Sequence, residues 1–189
     1  MGNSIGEKPA VASTHSNGFI QILLIVVVSI VYYLAARFGL TLGFKGTAAS
    51  PVWPPTGIAL SAIMLFGFRT WPGIFLSAFL ANFATGLNAP VASIIAIGNT
   101  LEALTGGFIL HYFCGGRSFL NDVKGTLCFL VPVSMGTTMI SATIGAASLI
   151  FGGFNSGVSF GSLWWTWWLG DTVGDLIIAP LFVGLANSR

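Results

Sequence analysis

Four charged side chains lie inside long apolar stretches of the chain: Arg37, Glu102, Asp171 and Asp175. A charged group at the centre of a bilayer costs roughly 3 kcal/mol on insertion scales, so such residues are candidates for a functional site. Counting about 1.5 Å per residue from the end of each stretch places all four in the outer half or at the midplane of a membrane. Residues of these types at that depth predict the binding of a polar ligand or an ion.

Helical spacing groups some of these residues with others. Trp168, Asp171 and Asp175 are separated by steps of three and four, which places them on one helix face. Asn99 and Glu102 share a face of another stretch in the same way. Because lipid would reject such faces, we expect them to point into a helix bundle.

Three carboxyl groups and one arginine cannot all be ionised in a low-dielectric site. Either a carboxyl group is protonated, or a cation or basic ligand compensates the charge. The alternative interpretation is a structural ion pair of Arg37 with one aspartate, in a polar network that only fixes helix packing. The tryptophans at 164, 165, 167 and 168 are typical of an aromatic belt at the membrane surface, with Trp168 the exception that shares the aspartate face.

Composition excludes a soluble protein. Of 189 residues, 54% are hydrophobic and only 6% are charged, whereas a soluble domain carries roughly 25% charged residues. The net charge of +2 includes no basic run, so no nucleic-acid partner is expected. The chain contains no phosphate-binding, dinucleotide-binding, zinc-protease or nucleophile-elbow motif, and His111 with Cys114 is too small a ligand set for a metal. We therefore predict no catalytic residue, no cofactor and no metal site.

The apolar stretches predict an all-α, polytopic transmembrane bundle of about six spans. Their expected bounds are 19–42, 54–68, 72–86, 90–113, 125–151 and 164–186, after a tail of residues 1–18. The second and third are near the lower limit for crossing a bilayer, and a re-entrant pair is the alternative. Pro132 and Pro180 lie inside spans and are expected to bend them.

Basic residues set the expected orientation. With the N-terminus inside, the cytoplasmic segments hold five basic residues, Lys8, Arg69, Arg117, Lys124 and Arg189. The outer connections hold one, Lys45. Both termini are therefore predicted to be cytoplasmic. Cys114 and Cys128 fall near cytoplasmic helix ends, where thiols stay reduced, and are expected to be free.

Several strings resemble, in order, the bacterial membrane-associated sensor (MASE) domain of the first class. They are SPVWPPTGIAL at 50–60, WPGIFL at 71–76 with Ala81-Asn82, IGNTLEA at 97–103, SATIG at 141–145, and WWLGD at 167–171 with Gly174 and Ala179-Pro180-Leu181. Two features depart from the family: relatives usually have about eight spans, and this chain contains no kinase, PAS or GGDEF segment. Asp175 stands where relatives carry an apolar residue.

The resemblance implies a sensory input domain for a histidine kinase or a diguanylate cyclase or phosphodiesterase, in the bacterial inner membrane. The expected ligand-binding residues are Arg37, Trp53, Asn82, Asn99, Glu102, Trp168, Asp171 and Asp175. They would form an outward-facing pocket for a small ligand or ion. The expected partners are the lipid bilayer, the cytoplasmic kinase or cyclase module and a second copy of the chain. Two alternatives are the substrate-capturing subunit of an uptake transporter and a structural adaptor.

Overall fold

A computed structural model describes residues 18–42, 50–154 and 157–187, and its regular elements are all helical. The helices are α1 Gly18–Thr41, α2 Pro54–Phe66, α3 Trp71–Phe83, α4 Ala89–Phe113, α5 Val123–Phe151 and α6 Phe160–Asn187. Short 3₁₀ turns join α2 to α3 at Phe68–Thr70 and follow α4 at Gly116–Ser118. The all-α class is confirmed. Nearly all of the expected tail, together with Lys8, Lys45 and Arg189, lies outside the described residues.

Four of the helices are long and apolar enough to cross a membrane: α1, α4, α5 and α6, with 24, 25, 29 and 28 residues. Each spans about 36 to 44 Å at 1.5 Å per residue, more than the roughly 30 Å of hydrocarbon in a bilayer. Large apolar side chains cover their outward faces, as Phe19 and Leu34 do on α1. These faces are suited to contact with lipid chains.

Helices α2 and α3 are short. Each has 13 residues, which is about 20 Å of helix and less than the hydrocarbon thickness. Each has proline in its first turn, where the missing N–H costs no helical hydrogen bond. Six full crossings, and the cytoplasmic placement of both termini, stay predictions.

The segment Ser50–Trp53 explains why α2 is short, because it enters the bundle without helical structure. The Trp53 N–H donates to the Gly170 carbonyl oxygen of α6 at 3.0 Å. A Cβ on Gly170 would overlap the Ser50 carbonyl oxygen, and one on Gly174 would overlap the Trp53 carbonyl oxygen. Gly170 is ten residues into α6, about 15 Å along its axis. Helix α2 therefore begins well inside the bundle.

Helix α5 changes type along its length. Its residues Phe129–Thr137, which include Pro132, form a π-helix between two α-helical parts, Val123–Cys128 and Thr138–Phe151. Proline lacks an N–H and disrupts the α-helical hydrogen bonds around it. Two carbonyl oxygens of this segment accept bonds from α6: Ser134 O from the Thr172 hydroxyl at 3.1 Å and Met135 O from the Trp168 indole at 2.8 Å. The π segment thus holds α5 and α6 together.

The prediction that Cys114 and Cys128 are free is wrong. The structure joins them in a disulfide with a Cα–Cα distance of 5.5 Å. The chain turns back after α4 at Gly115, whose φ is 84°, and packs Phe119 on Phe129 with ring centroids 4.7 Å apart. This turn brings the end of α4 to the start of α5. The prediction of free thiols followed from the count of basic residues on each side of the membrane. That count gives no information about how the end of α4 packs against the start of α5.

Candidate functional site

Three carboxyl groups converge in the interior between α4 and α6. Glu102, Asp171 and Asp175 are only 3%, 0% and 1% exposed. Glu102 lies beside Asp171, and Asp175 lies one turn further along α6. Glu102 is about 20 Å along α4 and Asp171 about 17 Å along α6. The structure therefore brings the three predicted acidic residues together, deep in the bundle.

The first turn of α2 contacts this carboxyl cluster. The Thr56 hydroxyl donates to Asp171 Oδ1 at 2.9 Å, and both side chains are buried. The N-terminal end of a helix carries partial positive charge from its free N–H groups, which favours a nearby acceptor or anion. Because Ser50–Trp53 enters the bundle, this helix end lies at the depth of Asp171. The short helix is thus part of the site.

A chain of hydrogen bonds connects α6, α5 and α4. The Trp167 indole N–H donates to Ser141 Oγ at 3.1 Å, and the Ser141 hydroxyl donates to Asn99 Oδ1 at 2.7 Å. The Ser141 side chain also lies near Glu102 and Asp171. Gly145 makes room for the Trp167 ring, since a Cβ there would be 2.6 Å from it. One hydroxyl therefore links the three long helices around the carboxyl groups.

Aromatic rings from α1 and from the segment before α2 close the opposite side. Tyr32 is 1% exposed and lies near Trp53, Glu102 and Asp171. Trp53 is buried against Gly39, where a Cβ would come within 2.9 Å of the indole ring. The carboxyl groups are thus enclosed by aromatic surface as well as by polar side chains.

Several polar atoms in this cluster lack a partner within the described part of the chain. They are Trp53 Nε1, Asn99 Nδ2, Glu102 Oε1, Asp171 Oδ2 and Asp175 Oδ1, all buried. A buried polar atom without a hydrogen bond costs about 1–3 kcal/mol, so such a group calls for an additional partner. Among the described residues, no group of three His, Cys, Asp or Glu side chains is arranged to hold a metal ion. The arrangement offers three acceptors, on the carboxyl groups, and two donors, on Trp53 and Asn99.

Arg37 and Asn82 do not join this cluster. Arg37 is exposed on α1, whereas Asp171 is fully buried, so the alternative ion pair with an aspartate is not formed among the described residues. Asn82 is buried in α3, but its side-chain N–H donates to Ala78 O of its own helix at 2.9 Å. Of the eight predicted residues, these two lie apart.

Trp168 lies at the outer edge of the site. It is 8% exposed, donates to the π segment, and stacks on Trp164 and Trp165 with ring centroids 6.0 and 4.9 Å away. Trp165 is exposed, as expected of a belt residue. Trp168 therefore joins the buried face to the exposed aromatic surface.

Sequence reasoning missed four residues of the site: Tyr32, Thr56, Ser141 and Trp167. Trp167 precedes Asp171 by one helical turn, so the spacing used for the other residues could have identified it. Tyr32 precedes the small residues Ala36 and Gly39 at helical spacing, which marks the packed face of α1. No spacing signal distinguishes Thr56 or Ser141.

Comparison with known proteins adds an independent finding. The MASE1 family model matches residues 23–189. The chain belongs to the MASE1 family. MASE1 domains are membrane sensors associated with diguanylate cyclase signalling, which confirms the resemblance seen in the sequence and makes this chain a multi-pass protein of the bacterial inner membrane.

A curated relative of this MASE1 chain is the probable diguanylate cyclase DgcE of Escherichia coli (strain K12). It is 26% identical over 168 residues, which are 85% of this chain and 14% of the relative. The chain thus spans about a seventh of that relative's length, and the similarity concerns the membrane part. No solved structure matches the chain.

Proposed function

We propose that this MASE1 chain is a sensory input domain that binds a small polar ligand or an ion between α2, α4 and α6. The observation that carries the proposal is the set of unpartnered buried atoms on Asn99, Glu102, Asp171 and Asp175. Four such atoms in one cluster are costly unless a ligand, an ion or a proton shared between the neighbouring Glu102 and Asp171 carboxyl groups satisfies them. In a family of sensors, a bound signal is the natural partner.

The charge around the site favours a ligand that is a cation or carries N–H donors. Three carboxyl groups are buried there, whereas Arg37, which lies inside α1, is exposed. The other described basic side chains lie at helix ends or in turns. A buried carboxylate without a counter-charge is strongly unfavourable, so a cationic ligand or a proton would stabilise the site.

Helix α2 is suited to carry the signal because both of its ends are held. Its first turn contacts Asp171 through Thr56. At its last turn, the Arg117 side chain donates to the carbonyl oxygens of Met64 at 2.9 Å and Leu65 at 2.6 Å. Asn187, at the end of α6, donates to the Arg117 carbonyl oxygen at 2.6 Å. A ligand that favours one of two arrangements at Asp171 would therefore change contacts at the other end.

The proposed output is a cytoplasmic diguanylate cyclase module, because the relative of E. coli is named as a probable enzyme of that class. A histidine kinase is the other output implied by the resemblance, and a second copy of the chain is a proposed partner. In each case the contacts around Arg117 and Asn187 would face the output.

A thermal-shift screen of the purified chain against small metabolites and cations tests the binding site. The parent is compared with Asp171→Asn and Glu102→Gln, and with Asp122→Asn as a matched control, since Asp122 only caps the first turn of α5. We expect a ligand to raise the unfolding temperature of the parent and the control but not of the two site variants. Equal shifts in all four proteins would refute the proposed site.

An uptake assay in liposomes separates a sensor from the transporter alternative. Radiolabelled ligand identified in the screen is offered to vesicles that contain the chain. A sensor accumulates nothing above empty vesicles, whereas concentration of the label inside would favour the substrate-capturing subunit.

A further inference from the structure

A cavity lies at the opposite end of α2 from the carboxyl cluster. Its volume is about 780 Å³, and it is lined by Met64, Phe68, Gly107, His111, Tyr112 and Arg117 among others. Pockets that bind small molecules typically measure about 300–1,000 Å³. None of its lining residues belongs to the carboxyl cluster. It is therefore a separate site, formed where α2 and α4 end.

Arg117 is fixed in the wall of this cavity with donors to spare. Its Nε and Nη2 atoms bond the Met64 and Leu65 carbonyl oxygens, and a guanidinium group has five N–H donors. Three donors thus remain for a further acceptor. The Gly67 N–H donates to the Ile63 carbonyl oxygen at 2.9 Å. Three carbonyl oxygens at the end of α2 thus already accept hydrogen bonds, which reduces the negative charge that an entering group meets beside the Arg117 donors.

An apolar surface continues from the cavity along α4. Tyr112 is 62% exposed, and its ring packs on Phe108 with centroids 4.7 Å apart. Phe108 is itself 48% exposed and lies one turn nearer the membrane centre. A ligand that fits both parts has an anionic head and a hydrophobic tail.

We propose that this cavity binds the head group of an anionic phospholipid, with its phosphate at Arg117 and an acyl chain along Tyr112 and Phe108. The basic turns at this end of the bundle, which also carry Arg69 and Lys124, add positive charge that attracts anionic lipid. Free phosphate would use the same donors but not the aromatic surface. Because Arg117 joins the end of α2 to Asn187, the lipid would also set the contacts at the proposed output end.

Retention of lipid by the purified chain tests this site. The chain is reconstituted in nanodiscs of phosphatidylcholine and phosphatidylglycerol at a ratio of four to one, re-extracted, and its bound lipid is quantified by mass spectrometry. We expect the ratio of phosphatidylglycerol to phosphatidylcholine among the bound lipids to be about fivefold higher than the bulk ratio, the effect of about 1 kcal/mol from one basic side chain near an anionic surface. Arg117→Gln should abolish the enrichment.

Arg69→Gln is the matched control, because Arg69 is an exposed basic residue of the same end that does not line the cavity. Retention of both lipids at the bulk ratio by the parent would overturn the proposal, as would equal losses in the two variants, which would indicate only a general surface charge. Since Arg117 also holds the last turn of α2, the parent alone supplies a second measurement: phosphatidylglycerol should raise its unfolding temperature in nanodiscs. No such rise would also count against the site.

Discussion

The substitution Gly170→Ala tests whether the irregular segment before α2 depends on the close approach of α6. A Cβ at position 170 would overlap the Ser50 carbonyl oxygen, which is a backbone atom and cannot rotate away. The bond from the Trp53 N–H to the Gly170 carbonyl oxygen, now 3.0 Å, would be lengthened at the same time. We therefore expect the segment to move off α6 and the start of α2 to move with it.

The size of the effect follows from these contacts. Overpacking a tight interior costs about 1–3 kcal/mol, and loss of the hydrogen bond adds about 1 kcal/mol. Alanine in place of glycine within a helix stabilises the folded state by about 1 kcal/mol, which offsets part of this loss. The net loss is about 1–3 kcal/mol, which lowers the unfolding temperature of a chain of this size by about 2–12 °C.

Gly184→Ala is the matched control, because it lies in the same helix and an added Cβ there meets nothing within 4 Å. This variant gains the higher helix propensity of alanine without the overlap. The free energies of unfolding of the two variants should therefore differ by about 2–4 kcal/mol. The assay is thermal unfolding of both variants in the same detergent, followed by circular dichroism. Equal unfolding temperatures for the two variants would refute the assigned packing of the segment.

Three further variants probe other contacts. Thr56→Val keeps the shape of the side chain but removes the hydroxyl bonded to Asp171, and should lower the free energy of unfolding by about 1 kcal/mol in the same assay. Thr56→Ser keeps the hydroxyl and should not lower it. Cys114→Ser opens a disulfide across a sequence separation of 14 residues, a loss of about 3 kcal/mol; if reductant destabilised this variant as much as the parent, the bond would not be the cause. Trp168→Phe loses its bond to the π segment, about 1 kcal/mol, while the exposed Trp165→Phe should unfold like the parent.

The sequence predicted the helices and the inner face of α6 for physical reasons. Apolar runs of sufficient length have few alternatives to a helix in lipid, and Asp171 and Asp175 cannot face hydrocarbon. Arg37 could not be placed in the same way, because large apolar residues occur on every side of α1. Which side of α1 packs is set by its contacts with other helices, and only Tyr32 and the small residues near it marked that side.

Contacts between distant parts of the chain account for what the sequence did not show. Helix α2 is short because Gly170 and Gly174 leave space for Ser50–Trp53, a segment more than a hundred residues earlier in the chain. Hydroxyl groups in membrane helices commonly bond their own backbone, as Ser61 does to Gly57. Helical spacing does not distinguish such residues from Thr56 or Ser141, which bond across helices, although both lie in the strings that resemble the MASE domain.

The π-helical part of α5 has a consequence for how this domain tolerates insertions and deletions. Each residue of an α-helix turns the chain by about 100°, and a π turn takes up more residues than an α turn. Cys128 precedes the π segment and Ser141 follows it. The azimuth of Ser141 relative to Cys128 therefore depends on both the number of residues in Phe129–Thr137 and the type of helix they form. Removing one of them would let the helix become regular and keep Ser141 near its present azimuth, whereas removing one residue between Thr138 and Ser141, where the helix is already regular, would rotate Ser141 by about 100°. A relative with one residue fewer and a regular helix here could therefore keep the same serine bonded to Asn99.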